Sequence, residues 1–402
     1  MATKTDKSDG GKLSLNASWS MAVGGMIGGG IFATLGVVFD TAGAFAPIAF
    51  LIGGLIALAT AHSYAELTRH HDKSGGVFIY LHQDGHETAA RISVWVLLAG
   101  YTLTVAVYAY TFGAYLSDAL GGPDWIKPAA AVASIAILAG VNLMGVKESA
   151  GVEIFVVWAK LIILLALAVI GIAHWAPDNL QVTGDGGGGQ SPFLGAIVGA
   201  ASVFMAYEGF QLLSYDYEEM EKPKRDIGRG MILAVAAVIV VYILVAVGTG
   251  MLIGADKVIA EKEVSLAIAG RAAAGEVGFI AVAIAALFST ASAVNATIFS
   301  TARLTKRASE LGEMPDAFDK TNSAGVPWFG TVLIAVVAGV LALFGGLDPL
   351  VKAASLVFLA IFAIVNLISI RKDAGIRWIS VAGLIGAVAS AIVLVIHFFG
   401  VV

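Results

Sequence analysis

Hydrophobic positions in this chain come in long unbroken runs, without the alternation of a half-buried strand or the single apolar stripe of a soluble helix. Runs of about 18 residues or more recur over the whole length, and each can cross a bilayer core of about 30 Å. Backbone groups in lipid must pair within the chain, which leaves helices or a closed barrel, and continuous runs select helices. The pattern predicts eleven spans, near 18–40, 43–66, 92–119, 126–146, 151–174, 192–214, 229–253, 276–301, 327–346, 349–370 and 376–399. Turn-rich segments separate them, among them "HHDKSGG", "GGPDW", "DGGGGQSP", "EKPKRD" and "TNSAGVP". The stretch "TGDGGGGQSP" reads as a flexible external loop.

Composition agrees with an all-α polytopic membrane protein. The chain is 58% hydrophobic and 13% charged, with mean hydropathy +0.87, where a soluble domain carries about 25% charge. Net charge is −5, but in a membrane protein the placement of charge matters more than its sum. With the N-terminus in the cytoplasm, about 18 of the 24 Lys and Arg fall inside, about five outside, and Lys160 within the membrane. Eleven spans then leave the C-terminus external. The polar segment 1–17 carries no cleavable signal pattern, so the first helix is expected to be retained in a prokaryotic-type inner membrane. There is no cysteine, hence no disulfide and no thiolate metal site.

Spans one and six differ from the rest. Span one contains "MAVGGMIGGGIFATLGVV", and glycine costs about 1 kcal/mol relative to alanine inside a helix. Span six contains "FMAYEGFQ", where Glu208 and Gly209 interrupt an apolar run. Each begins a group of five spans, and interrupted helices at matching places in two halves point to a transporter of inverted repeats. Span one is expected to unwind at Gly28, Gly29 and Gly30, freeing N–H groups that attract a carboxylate. Unwinding near Met205–Gly209 adds carbonyls for an ammonium, so the two breaks predict a socket for a zwitterionic amino acid. The competing reading is close packing, since glycines also let membrane helices touch.

Several motifs in order resemble the amino acid–polyamine–organocation transporters: "GGMIGGGIF", "SYAELTRHHDKSGGVFIYL", "NLMGVKESAGVE", "FMAYEGFQLLSYDYEEMEKPKRDIGRGM", and "STASAVNATIFSTARLTKRASELGEMPDAF" followed by "GVP". The resemblance spans nearly the whole chain. It implies a five-plus-five inverted-repeat core with helices one and six broken: a first repeat at 18–174, a second at 192–370 and an additional helix at 376–402. Many members have twelve spans, against eleven here. Carried over by motif, the N–H groups of Gly28, Gly29 and Gly30 would hold the substrate carboxylate. The carbonyls of Met26, Met205, Ala206 and Glu208 would receive the ammonium, with Phe204 or Tyr207 closing over the substrate. Packing or lipid-facing aromatics are the plainer reading of those two.

Lys160 lies in "FVVWAKLIILLALAVIG", with Lys147 and Glu153 marking the cytoplasmic end of its helix. It sits roughly 10 Å into that helix at 1.5 Å per residue. An intramembrane lysine is costly and points to function, against the alternative of snorkelling to the interface. The resemblance implies that it replaces the sodium ion of related folds, between helices one, five and eight. Its neighbours would then be a carbonyl near Gly24 and the hydroxyls of Ser289 and Ser292, with Thr290 a weaker candidate. Glu208 reads as a second proton carrier, as a bias toward cationic substrates, or as a structural carboxyl.

The seven histidines are scattered and suggest no metal site, and no catalytic or phosphate-binding motif is present, so no enzyme and no cofactor are expected. Substrate specificity would draw on Tyr101, Thr104 and Tyr108 in span three and on Phe358, Phe362 and Asn366 in span ten. The resulting expectation is an alternating-access symporter for neutral or varied amino acids, proton-coupled and sodium-independent, acting as a monomer or a homodimer. Its partners are amino acid, protons and membrane lipid, with no nucleic acid. An amino acid exchanger and a polyamine or organic amine carrier are the alternatives; a polyamine would need more buried acids than Glu208.

Overall fold

A computed structural model describes residues 12–145, 150–182 and 192–399. Residues 1–11, Lys147, the glycine-rich loop at 183–191, the last three residues and the side chain of Glu153 lie outside the described residues. The described chain is helical: α1 (Leu15–Ala42), α2 (Ala46–His71), α3 (Val77–Gln83), α4 (Glu87–Leu120), α5 (Ile126–Leu143), α6 (Ala150–Ala173), α7 (Pro192–Ser202), α8 (Pro223–Ile253), α9 (Ala255–Ala260), α10 (Ser265–Glu310), α11 (Trp328–Phe344), α12 (Leu347–Lys372) and α13 (Arg377–Phe398). Eight helical stretches are long and apolar enough to cross a membrane, the first of them α1 and α2 read together. Separating those two and adding the shorter Phe193–Ser202 and Trp328–Phe344 recovers the eleven expected spans.

The sequence punctuates these helices in recognisable ways. Ser14 caps α1 by accepting the Ala17 N–H, while Asp72 and Asp373 end α2 and α12 in the left-handed conformation. Gly275, with φ +62°, kinks α10 into a short arm and the eighth span. Helix α6 exposes Phe155, Ile162 and Val169, seven residues apart, as one outward stripe. Lys160 is on the other side, 3% exposed and facing the bundle, so it does not snorkel.

The packing pairs reproduce an internal two-fold. Helix α2 lies along α8, α4 along α10 and α5 along α11, each span against its counterpart five positions on. Likewise α6 meets α8 and α10 as α12 meets α2 and α4, and α1 meets α8 and α6 as α7 meets α2 and α12. Exchanging each span with the one five places later maps these contacts onto one another. Five is odd, so counterparts cross the bilayer in opposite directions, which is an inverted repeat.

The two ends of the bundle differ. At the end away from the N-terminus, α9 and the start of α10 close over α1. A Cβ at Gly36 would lie 2.4 Å from the Lys262 carbonyl, and Lys262–Asp40 and Lys127–Glu263 ion pairs tie that cap down. At the N-terminal end, Lys372 sits 2.6 Å from Asp84, and the His71 ring, its Nδ1 bonded to the Leu67 carbonyl, approaches the same carboxylate at 3.4 Å. Burial would raise the Asp84 pKa, but these two partners outweigh it and hold the carboxyl below its usual range.

One expectation needs correction here. Helix α1 does not unwind at Gly28–Gly30: it is a single helix from Leu15 to Ala42, and none of Gly24 to Gly30 takes a positive φ. Its glycines instead let four other parts of the bundle reach its backbone.

Candidate functional site

Span six does break, and side chains hold the break open. The α-helical ladder ends with α7 at Ser202, and two 3-10 turns follow, Phe204–Tyr207 and Phe210–Ser214. Ser355 of α12 takes the place of the missing ladder bond, donating to the Ser202 carbonyl at 2.7 Å while accepting the Met205 N–H at 3.0 Å. Gly209 takes φ +125° between the two turns, and Gln211 Oε1 accepts its N–H at 2.8 Å. Every main-chain group freed by the break must find such a partner, because neither lipid nor water supplies one.

The break lies against the glycines of α1. Gly209 touches Gly25: a Cβ on Gly209 would lie 2.8 Å from the Gly25 carbonyl carbon. A Cβ on Gly28 would lie 2.8 Å from Ala293 of α10, one on Gly29 1.9 Å from the Tyr108 ring, and one on Gly30 2.3 Å from the Tyr242 hydroxyl and 2.9 Å from the Ala206 carbonyl. The Tyr242 hydroxyl lies 2.7 Å from the Met26 carbonyl and 2.9 Å from that of Ala206. It carries one proton, so it serves one carbonyl at a time.

The expected socket residues are therefore together but engaged. The Met26 and Ala206 carbonyls face the Tyr242 hydroxyl, the Met205 carbonyl accepts the Glu208 N–H at 3.0 Å, and Gly28–Gly30 are within a helix. Tyr207 donates to the Phe50 carbonyl at 2.6 Å and packs against Tyr242, while Phe204 stands edge-on to Phe362. Tyr242, Ser355 and Gln211 were not singled out from the sequence. The available signal was a lone tyrosine in the apolar run of span seven and one of two serines in span ten.

Lys160 Nζ donates to the Gly24 carbonyl at 3.2 Å, which places the ammonium against the main chain of α1. The Ser289 hydroxyl approaches the Ile27 carbonyl at 3.4 Å, so α6 and α10 both reach α1 near its glycines. Ser292 lines a cavity of about 530 Å³ together with Gly24, Gly25, Asn142, Asn295 and, toward its mouth, Arg303 and Lys306. Its lining runs from Leu13, Glu219 and Arg303 at the N-terminal end to Gly24 and Gly25 of α1, and Gly25 also meets Gly209. Thr290 bonds back to its own helix at Ala286.

Glu208, 3% exposed, faces α4. Its carboxyl accepts from Gln211 Nε2 at 3.1 Å and from the Tyr108 hydroxyl at 3.5 Å. Gln211 Nε2 also donates to Tyr101, whose hydroxyl lies 3.0 Å from that of Tyr215. Thus Tyr108 meets Glu208 directly and Tyr101 reaches it through Gln211, and Phe358 packs on Tyr101. Asn366 does not join them. It bonds to Thr60 and Ser63, and Ser63 in turn meets Ser380, an arrangement that fastens α13 to α2 and α12. Among the described residues no group of three or more His, Asp or Glu is placed to hold a metal ion.

Comparison with known proteins matches residues 13–402 to the family model described as amino acid permease. The methylthioribose transporter of Bacillus subtilis is 30% identical over 88% of this chain and 79% of its own length. The branched-chain amino acid permease BcaP of the same organism is 26% identical over 88% and 79%. Cationic amino acid transporter 7, chloroplastic, of Arabidopsis thaliana is 28% identical over 88% of this chain and 64% of its own length.

Proposed function

The chain belongs to the amino acid permease family and is an integral membrane protein, and from that premise we propose that it carries amino acids by alternating access, coupled to protons and independent of sodium. The observation that carries this reading is the buried Lys160 ammonium on the Gly24 carbonyl. A fixed ammonium between α1 and α6 repels a sodium ion from the same place. Loss of its proton would weaken the link between the two helices, coupling protonation to the position of α1. Relatives named for branched-chain and cationic amino acids support an amino acid cargo, and one named for methylthioribose supports a varied substrate range.

In this reading, residues 18–174 and 192–370 are the two repeats, and the lysine- and arginine-rich N-terminal end is cytoplasmic. The 530 Å³ cavity is then the inward route, with the opposite end closed by the Lys262–Asp40 cap. The substrate ammonium displaces the Tyr242 hydroxyl from the Met26 and Ala206 carbonyls.

The test is uptake of a labelled amino-acid mixture into proteoliposomes under an inward proton gradient or an inward sodium gradient. Proton-driven accumulation indifferent to sodium is expected, and Lys160→Ala should abolish accumulation while counterflow persists. Sodium-driven uptake would sink the assignment of Lys160. Counterflow alone in the parent protein would point to an exchanger.

A further inference from the structure

Tyr242 of α8 is fully buried and packs on both Phe50 and Tyr207. Tyr207 is itself fixed by its hydroxyl on the Phe50 carbonyl at 2.6 Å. The Tyr242 hydroxyl is thereby held 2.7 Å from the Met26 carbonyl of α1 and 2.9 Å from the Ala206 carbonyl of the break. A Cβ at position 30 would lie 2.3 Å from that hydroxyl, so the glycine of α1 is what admits it. No main-chain N–H among the described residues donates to the Ala206 carbonyl, which leaves Tyr242 as its donor. A buried carbonyl without a donor is costly. An ammonium has three protons and can serve both carbonyls at once, whereas a phenol has one and serves them in turn. The hydroxyl can therefore join α1 to the break, and an ammonium can outcompete it.

We infer that Tyr242 stands in for the substrate ammonium in the empty carrier, pairing the carbonyls of α1 and the break so that the protein closes and returns without cargo. The inference rests on the proposed amino acid transport and adds the form of its cycle, which is net transport in place of obligatory exchange. Tyr242 is a positioning residue in this cycle. It acts on the empty limb, while the loaded carrier closes on the ammonium instead.

The experiment uses proteoliposomes loaded to saturation with a labelled amino-acid mixture, at equal pH on both sides. Label is followed into medium free of amino acid, which requires return of the empty carrier, and into medium holding the same mixture unlabelled, which does not. The parent is expected to run efflux within about tenfold of exchange. Tyr242→Phe should widen that ratio by about tenfold or more, the effect of one buried hydrogen bond lost from the empty carrier alone. Tyr207→Phe also removes a buried hydroxyl, but from the Phe50 carbonyl, and should slow both modes together. A Tyr242→Phe protein that keeps the parent ratio would overturn the inference, as would a Tyr207→Phe protein that widens it equally. If Tyr242→Phe does not fold, the parent decides: exchange faster than efflux by about tenfold or more means that the empty carrier does not return readily, and the stand-in role falls while transport stands. A parent protein that moves no label in either mode would instead refute the transport reading itself.

Discussion

The glycine stretch of α1 and the break of span six lie against each other and look equally poised to unwind in the sequence, yet only one does. Five glycines between Gly24 and Gly30 leave a continuous helix, whereas the break contains a single glycine, Gly209. Glycine only lowers the cost of leaving a helix; it provides no alternative partner for the freed N–H and carbonyl groups. Span six has such partners in Ser355 and Gln211. Helix α1 has close neighbours instead, and the absence of side chains there is what lets Tyr108, Tyr242, Ala293 and Gly209 approach.

The largest effect expected from this contrast is at Gly209. An alanine there must adopt a φ near +125°, and its Cβ would sit 2.8 Å from the α1 backbone, which cannot move aside as a side chain can. Strain and overpacking together predict a loss of about 3 kcal/mol or more. Gly209→Ala should therefore give little folded protein in a detergent melt and no uptake. A variant that melts like the parent would mean that the break does not depend on the Gly25–Gly209 contact.

How much was legible in advance follows the same division. Eleven spans, the place of the break and the intramembrane Lys160 could be read from hydropathy, charge and motif, which are local signals, whereas its Gly24 partner followed only from the family resemblance. Ser355 could not, because its partner Ser202 lies 153 residues away and a serine in an apolar span has no distinguishing pattern. Tyr242 was missed for the same reason, since its roles at Met26 and Ala206 arise only when α8 is packed on α1. The glycines of α1 were legible as unusual but not as packing surfaces. Propensity ranks the cost of a helix, and tertiary contact decides whether it forms.

A smaller effect separates packing from unwinding at Gly29. A Cβ there would fall 1.9 Å from the Tyr108 ring, so Gly29→Ala should destabilise by about 1–3 kcal/mol through overpacking. If Tyr108 is the cause, trimming it to alanine should remove most of the penalty. A double-mutant cycle by thermal melting would then give a coupling energy of about 1 kcal/mol or more. If Gly29 is needed for its freedom to unwind, the two substitutions should add, and the cycle should close near zero.

The smallest effect has the opposite sign and serves as the control. Gly140 is inside α5, where nothing lies within 4 Å of the position a Cβ would take. Its side chain would meet no Tyr108 and no crossing backbone, so helix propensity alone remains. Gly140→Ala should stabilise the protein by about 0.5–1 kcal/mol, with uptake unchanged. The same substitution would then lower stability in α1 and raise it in α5, which ties the cost at Gly29 to what surrounds that helix. A Gly140→Ala protein that melts below the parent would break the comparison, because glycine would then be favoured in these helices even without a neighbour to admit.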